Sequence, residues 1–196
     1  GGLGTIAVQG PEAIAREIAS ARALTDRPIA VNLILHFATT SWFRAAEAAD
    51  VVVTFWGTPR RRTSKVWIHQ CGSVAEAQAA KAAGADAVIA QGVEAGGHVR
   101  GATPALELLE RVRSALGPDY PVLLAGGIAE RIDVAAALDA GAAAAVAGTR
   151  FLLTPESGAH PDYRARLVEA DRTLLTELFG LSWPARHRVV PNAATD

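Results

Sequence analysis

Short, continuous apolar runs recur along this chain, at 29–35, 51–55, 87–90, 121–125 and 144–147, with helix-patterned segments between most of them. A strand that is apolar on both faces needs cover on both faces. That is the condition of a parallel sheet wrapped by helices, not of a sheet with one wet side. Two further strand-like stretches, 4–8 and 65–70, bring the set to seven. Pro11 opens a helix that runs to Leu24 with Ile14, Ile18 and Ala21 on one face. Ser41 offers an N-cap for a helix over 42–49, and Ser73 caps 74–83 with Glu76 completing a capping box and Gly84 ending the helix. Segment 104–116 carries Leu106, Leu109, Val112 and Leu116 along one side, and 132–140 closes at Gly141. A longer amphipathic helix over 161–179 and an irregular tail are expected to finish the chain.

This alternation predicts an α/β protein, and a (β/α)8 TIM barrel in particular. A doubly wound open sheet is the alternative, but Gly1-Gly2-Leu3-Gly4 precedes its strand instead of following it, so no dinucleotide fingerprint supports that fold. A barrel closes on eight strands and seven are visible here. The chain contains no methionine, even at position 1. Both features are accounted for if the chain begins inside a longer protein and the first barrel strand lies upstream of Gly1. One interval breaks the rhythm. Residues 56–64 separate two strands with fewer residues than the dozen or more that a helical parallel crossover takes, so the crossover is either a bare loop or lacks residues.

The formal net charge of -1 argues against a nucleic-acid footprint or a basic membrane-binding face. No apolar run reaches the length of a membrane span. The single cysteine, Cys71, excludes an intrachain disulfide framework and points to a reducing compartment, so a cytoplasmic protein is expected. Half of the 196 residues are hydrophobic, enough for one domain with a sizeable core.

The stretch that carries chemistry follows the strand at 87–90. Gln91-Gly92-Val93-Glu94-Ala95-Gly96-Gly97-His98 is a crowded turn with a histidine at its tip. Gly96 and Gly97 can take positive φ and let backbone N–H groups approach a ligand, and a histidine is the side chain best suited to move a proton near neutral pH. Glu94 has two readings, a brace for the loop or a charge in the site. Two more glycine turns end apolar strands, Ala125-Gly126-Gly127-Ile128 and Ala147-Gly148-Thr149-Arg150. Either alone serves any turn. In consecutive final units of a barrel, their N–H groups are placed to converge on one phosphate, with Thr149 adding a hydroxyl. Phe55 and Trp56, at a strand end, are candidate walls for a small apolar substrate, with core packing the favoured reading of a Trp there. Arg60 to Arg62 reads as a solvated loop, and His69 as a buried, hydrogen-bonded residue. No pair of His, Cys, Asp or Glu residues has metal-ligand spacing.

Taken as an ordered set, 91–98, 125–128 and 148–151 resemble the motifs of the nitronate monooxygenase family, formerly the 2-nitropropane dioxygenases, and the similarity extends from Gly1 through 30–33 to about Phe151. The resemblance implies a single FMN-binding β/α-barrel domain over 1–196. It implies oxidation of alkyl nitronates by O2 to a carbonyl compound and nitrite, with a nitronate or nitroalkane as substrate. By position, Asn32 matches the family asparagine that bonds the flavin, Gln91 and Gly96 line it, and Gly127 with Val146, Ala147, Gly148 and Thr149 matches the phosphate cradle. Ala125, Gly126 and Gly97 fall within the same motifs. Gln70 stands where some members place a lysine near the flavin, and His98 matches the catalytic base for neutral nitroalkanes. Flavin contacts from the family's first strand have no counterpart in this chain. Two other functions remain open: an FMN-dependent NAD(P)H oxidoreductase of the enoyl-reductase or quinone-reductase type, and a flavin- or phosphate-binding module without turnover. The oligomeric state is left open.

Overall fold

The apolar runs become the strands of one parallel sheet in the computed structural model, which describes residues 2–3, 10–179 and 185–195. In chain order the elements are β1 (Gly2–Leu3), α1 (Gly10–Leu24), β2 (Ala30–Ile34), α2 (Thr40–Ala46), β3 (Val51–Phe55), β4 (Val66–Cys71), α3 (Val74–Ala82), β5 (Ala87–Gln91) and β6 (Gly97–Val99). They continue as α4 (Ala105–Leu116), β7 (Val122–Ala125), α5 (Arg131–Asp139), β8 (Ala144–Val146), α6 (Pro161–Glu169), β9 (Leu174–Thr176) and β10 (Arg186–Val189). The main sheet runs β1-β2-β3-β4-β5-β7-β8 with every pair parallel. Each strand lies beside its predecessor in this sheet. A doubly wound sheet reverses its order at a switch point, whereas this unbroken order belongs to a β/α barrel. The sheet is a partial barrel of seven strands, with β1 and β8 as its edges among the described residues.

Side-chain alternation divides the strands between two surroundings. Val31, Leu33 and Val52 pack with Ile14, Ile18, Trp42 and Phe43 of α1 and α2. Val88, Val122 and Leu124 pack with Ala77, Leu108, Leu109 and Val112 of α3 and α4. The alternate positions, among them Asn32, Gln70, Ile89, Gln91, Leu123, Ala125 and Val146, therefore line the opposite, concave face. Strand register sets Phe55, Gln70, Ile89 and Leu123 in one row across that face, with Gln91, Ala125 and Val146 in the next.

The structure departs from the sequence expectations in several places. The strand at 4–8 lies outside the described residues, and Gly2–Leu3, expected to precede the first strand, pairs with β2 as an edge strand. Thr39, not Ser41, is the N-cap of α2, and the two hydroxyls bond each other at 2.8 Å. Ser73 caps α3 by accepting from the Glu76 N–H, but the Glu76 carboxylate reaches the N–H of Gly72, one residue beyond the capping-box position. The helix at 161–179 stops at Glu169, where Ala170 turns to extended backbone, and Leu174–Thr176 becomes a strand. The tail is not irregular throughout, since β10 joins β6 and β9 in a three-stranded antiparallel sheet.

The crossover at 56–64 is a loop without a helix, and hydrogen bonds hold its second half. Glu47 of α2 accepts from the Thr63 hydroxyl at 2.5 Å and from the Ser64 N–H and hydroxyl at 3.1 and 2.6 Å. Arg61 reaches the Gly84 carbonyl and Asp86. Polar anchoring here replaces the apolar face that a crossover helix would bury. No helix among the described residues is long and apolar enough to cross a membrane.

Between β3 and β4 a buried polar cluster faces the helices. Trp67 Nε1 donates to Thr54 Oγ1 at 2.7 Å, and Thr54 Oγ1 and His69 Nδ1 lie 2.8 Å apart. His69 is thus the buried, bonded residue expected. Burial also pushes the neighbouring Cys71 thiol up, as suits a packing residue. Burial pushes His69 down to about 4 from an ordinary 6.5. Between those values the unfolded chain takes a proton that the folded chain refuses, so His69's contribution is complete above 6.5 and is lost as the pH falls toward 4. A thermal-melt series should show stability falling through that window, less steeply in His69→Gln. Thr54→Val, which strands both partners, should cost about 2 kcal/mol in a denaturant titration.

Candidate functional site

The loops after β5, β7 and β8 meet at one end of the sheet because glycine backbone packs against backbone there. Gly126, at φ +110°, has the Gly92 carbonyl and the Ala95 N–H at 3.2 Å from where a Cβ would stand. A Cβ on Gly96 would overlap the Thr149 hydroxyl. These two approaches unite Gly96, Gly126, Gly127 and Thr149 in one surface. Val146 pairs with Ala125, which pairs in turn with Gln91, so the three strand ends lie side by side. Ala147 and Gly148 lead from β8 into a 3-10 turn at Thr149–Leu153, and Gly148 opens onto free space. Gly97, also at positive φ, opens outward at the start of β6.

Gln91 is 5% exposed and holds the histidine loop together. Its Nε2 donates to the His98 carbonyl at 2.9 Å and its Oε1 accepts from the Arg100 N–H at 3.1 Å. The Glu94 carboxylate accepts from the Ala105 N–H at the start of α4, so Glu94 braces the loop. Arg100 reaches Glu76 at 2.6 Å and lies over the Trp56 ring at 4.6 Å. Trp56 has φ 58°, a strained value for a non-glycine residue, and packs with Ile34, Phe55 and Ala185. Phe55 and Trp56 are therefore core residues at the rim of the concave face.

Asn32 and Gln70 stand on that face, on β2 and β4, apart from the glycine cluster. The buried Asn32 Oδ1 makes no hydrogen bond among the described residues. A buried acceptor without a donor is costly, and a ligand N–H would relieve it. This orphaned acceptor and the glycine cradle fit the two ends of a flavin mononucleotide, its polar ring edge and its phosphate.

The sequence reading missed the residues of β10. In register, His187 faces His98 and Arg188 faces Gly97. Arg188 donates twice to the Val93 carbonyl at 2.7 and 2.9 Å, and Arg186 donates to the Gly101 carbonyl at 2.9 Å. Both ends of the loop are thereby tied to a strand some ninety residues later. The only local signal was Arg186-His187-Arg188-Val189, too short for its alternation to identify a strand. Burial and the adjacent His187 ring push His98 down to about 4, so its imidazole is neutral at pH 7.

Gln91→Leu removes the two bonds that Gln91 makes within the loop while keeping its volume. Amide hydrogen exchange should accelerate at Arg100 by about tenfold, with the α4 amides unchanged.

A family model for nitronate monooxygenase matches residues 45–192. A nitronate monooxygenase from Pseudomonas aeruginosa is 33% identical over 238 aligned positions, covering 90% of this chain and 67% of the relative. The aligned span exceeds the length of this chain, so the relative carries residues that this chain lacks within the matched region. A (3aS,4S,5R,7aS)-5-hydroxy-7a-methyl-1-oxo-octahydro-1H-indene-4-carboxyl-CoA dehydrogenase from Mycobacterium tuberculosis is 32% identical, covering 90% of this chain and 53% of its own length. The chain thus spans about half to two thirds of these relatives. The solved nitroalkane oxidase of Streptomyces ansochromogenes superposes with a TM-score of 0.84 at 32% identity, covering 99% of this chain and 70% of that one. By the match to its model over most of its length, this chain belongs to the nitronate monooxygenase family.

Proposed function

We propose that this chain provides the FMN and substrate site of an enzyme that oxidises alkyl nitronates with O2 to a carbonyl compound and nitrite. The observation that carries the reading is the joining of the His98 loop to the glycine turns after β7 and β8, through Gly96 against Thr149 and Gly92 against Gly126. A phosphate held on those turns would leave the rest of an FMN beside the histidine loop. Asn32 would bond the flavin ring edge, and Gly126, Gly127, Gly148 and Thr149 would hold the phosphate. Gln70 is uncharged where a lysine stands in some family members. FMN, when bound, supplies the redox chemistry.

The protein's part is positioning and proton management. A neutral His98 has a ring nitrogen able to accept the α-proton of a nitroalkane, and the nitronate formed beside it favours the resulting imidazolium by charge. An alkyl nitronate arrives already deprotonated and needs His98 only as a hydrogen-bond partner.

A second reading has specific support. The dehydrogenase relative is as similar to this chain as the monooxygenase, so a hydride-handling reaction of the NAD(P)H oxidoreductase kind stays compatible with the same site. Purified protein loaded with FMN separates the readings when propionate 3-nitronate and NADH are added anaerobically in separate cuvettes. Loss of the flavin absorbance with nitronate alone is the expected result. Loss only with NADH would favour the reductase, and no loss with either would favour a binding module. His98→Ala should lower nitroalkane turnover at least a hundredfold, roughly, while sparing nitronate turnover. In the unsubstituted enzyme kcat/KM for the nitroalkane should fall only as the pH drops toward the His98 value of about 4.

A further inference from the structure

His187 of β10 lies opposite His98 of β6, and their rings meet with centroids 3.9 Å apart and planes tilted by 54°. Both residues are half-buried, and the buried Nδ1 of His187 makes no hydrogen bond among the described residues. The charged groups nearby among the described residues have other partners. Arg186 and Arg188 on β10 hold the carbonyls of Gly101 and Val93, Arg100 holds Glu76, and Glu94 accepts from the N–H of Ala105. Directly across the strand pair, the described residue that His98 faces is a second imidazole.

We propose that His187 is a positioning residue for His98, packing against its ring so that the pair carries one proton when His98 deprotonates a neutral nitroalkane. The proposal rests on the nitroalkane reading of the site. In that step the substrate C–H bond breaks, the electron pair stays on the substrate as the nitronate, and the proton moves to a ring nitrogen of His98. A second proton would place two like charges in the same half-buried space, which the pair resists. The same contact limits the rotamers open to His98, so the base keeps one orientation toward the substrate. The depressed proton affinity of His98, caused first by burial and then by His187, has the sign this coupling requires.

Two substitutions test the pair. His187→Phe keeps a flat ring and removes the titratable group, whereas His187→Ala removes the ring. Imidazole proton NMR against pH reads the His98 midpoint without any turnover, and that midpoint should move upward in His187→Phe. His187→Ala should lower kcat for a neutral nitroalkane by roughly tenfold while nitronate turnover changes less than about twofold, and His187→Phe should restore most of the loss. A His98 midpoint unmoved in His187→Phe overturns the proposal. So does a nitroalkane-to-nitronate ratio unmoved in His187→Ala. If the unsubstituted protein turns over neither compound, the functional reading has failed and the NMR midpoint alone decides the pair.

Discussion

Backbone approaching backbone at one end of the sheet is the contact on which the site depends. Gly126 sits against Gly92 and Ala95 at a separation that a side chain would close, and Gly96 lies against Thr149 in the same way. Remove that closeness and three loops become three separate turns. With it, they form one concave surface rich in glycine, at the strand ends where β/α barrels bind ligands. The core clusters under α1 to α4 fix the strands, and strand register carries that precision upward to Gln91, Ala125 and Val146.

Around this junction the polar groups divide into those already satisfied and those left waiting. Gln91, Glu94, Arg186 and Arg188 each bond backbone groups of the loop or its flanks, so they shape the loop. Buried hydrogen bonds of this kind give orientation more than net stability. The Asn32 acceptor and the His187 nitrogen make no hydrogen bond among the described residues. Native structures keep few such atoms, and the Asn32 acceptor is on the face where a flavin ring edge would lie.

The parallel strands were legible because an apolar run covered on both faces leaves a local, unbroken mark, as at 51–55 and 87–90. The glycine turns were legible because their positions follow directly from strand ends. The antiparallel sheet was not. Gly97–Val99 is three residues long and its partner lies at Arg186–Val189, so pairing across that distance leaves no periodicity in either segment. Leu174, Leu175 and Leu178 extended the apparent helix at 161–179, whereas pairing of Leu174–Thr176 with β10 gives those residues a strand instead. Non-local pairing overrode a weak helical pattern there. The role of Gln91 was hidden for a related reason, because its partners are backbone groups of its own loop.

If the loops after β5, β7 and β8 form a single ligand site, hydrogen exchange with and without saturating FMN tests it most directly. Uptake of deuterium should slow together in peptides covering 91–101, 125–128 and 146–150. Protection confined to one of these loops, or appearing instead at the 56–64 crossover, would contradict it.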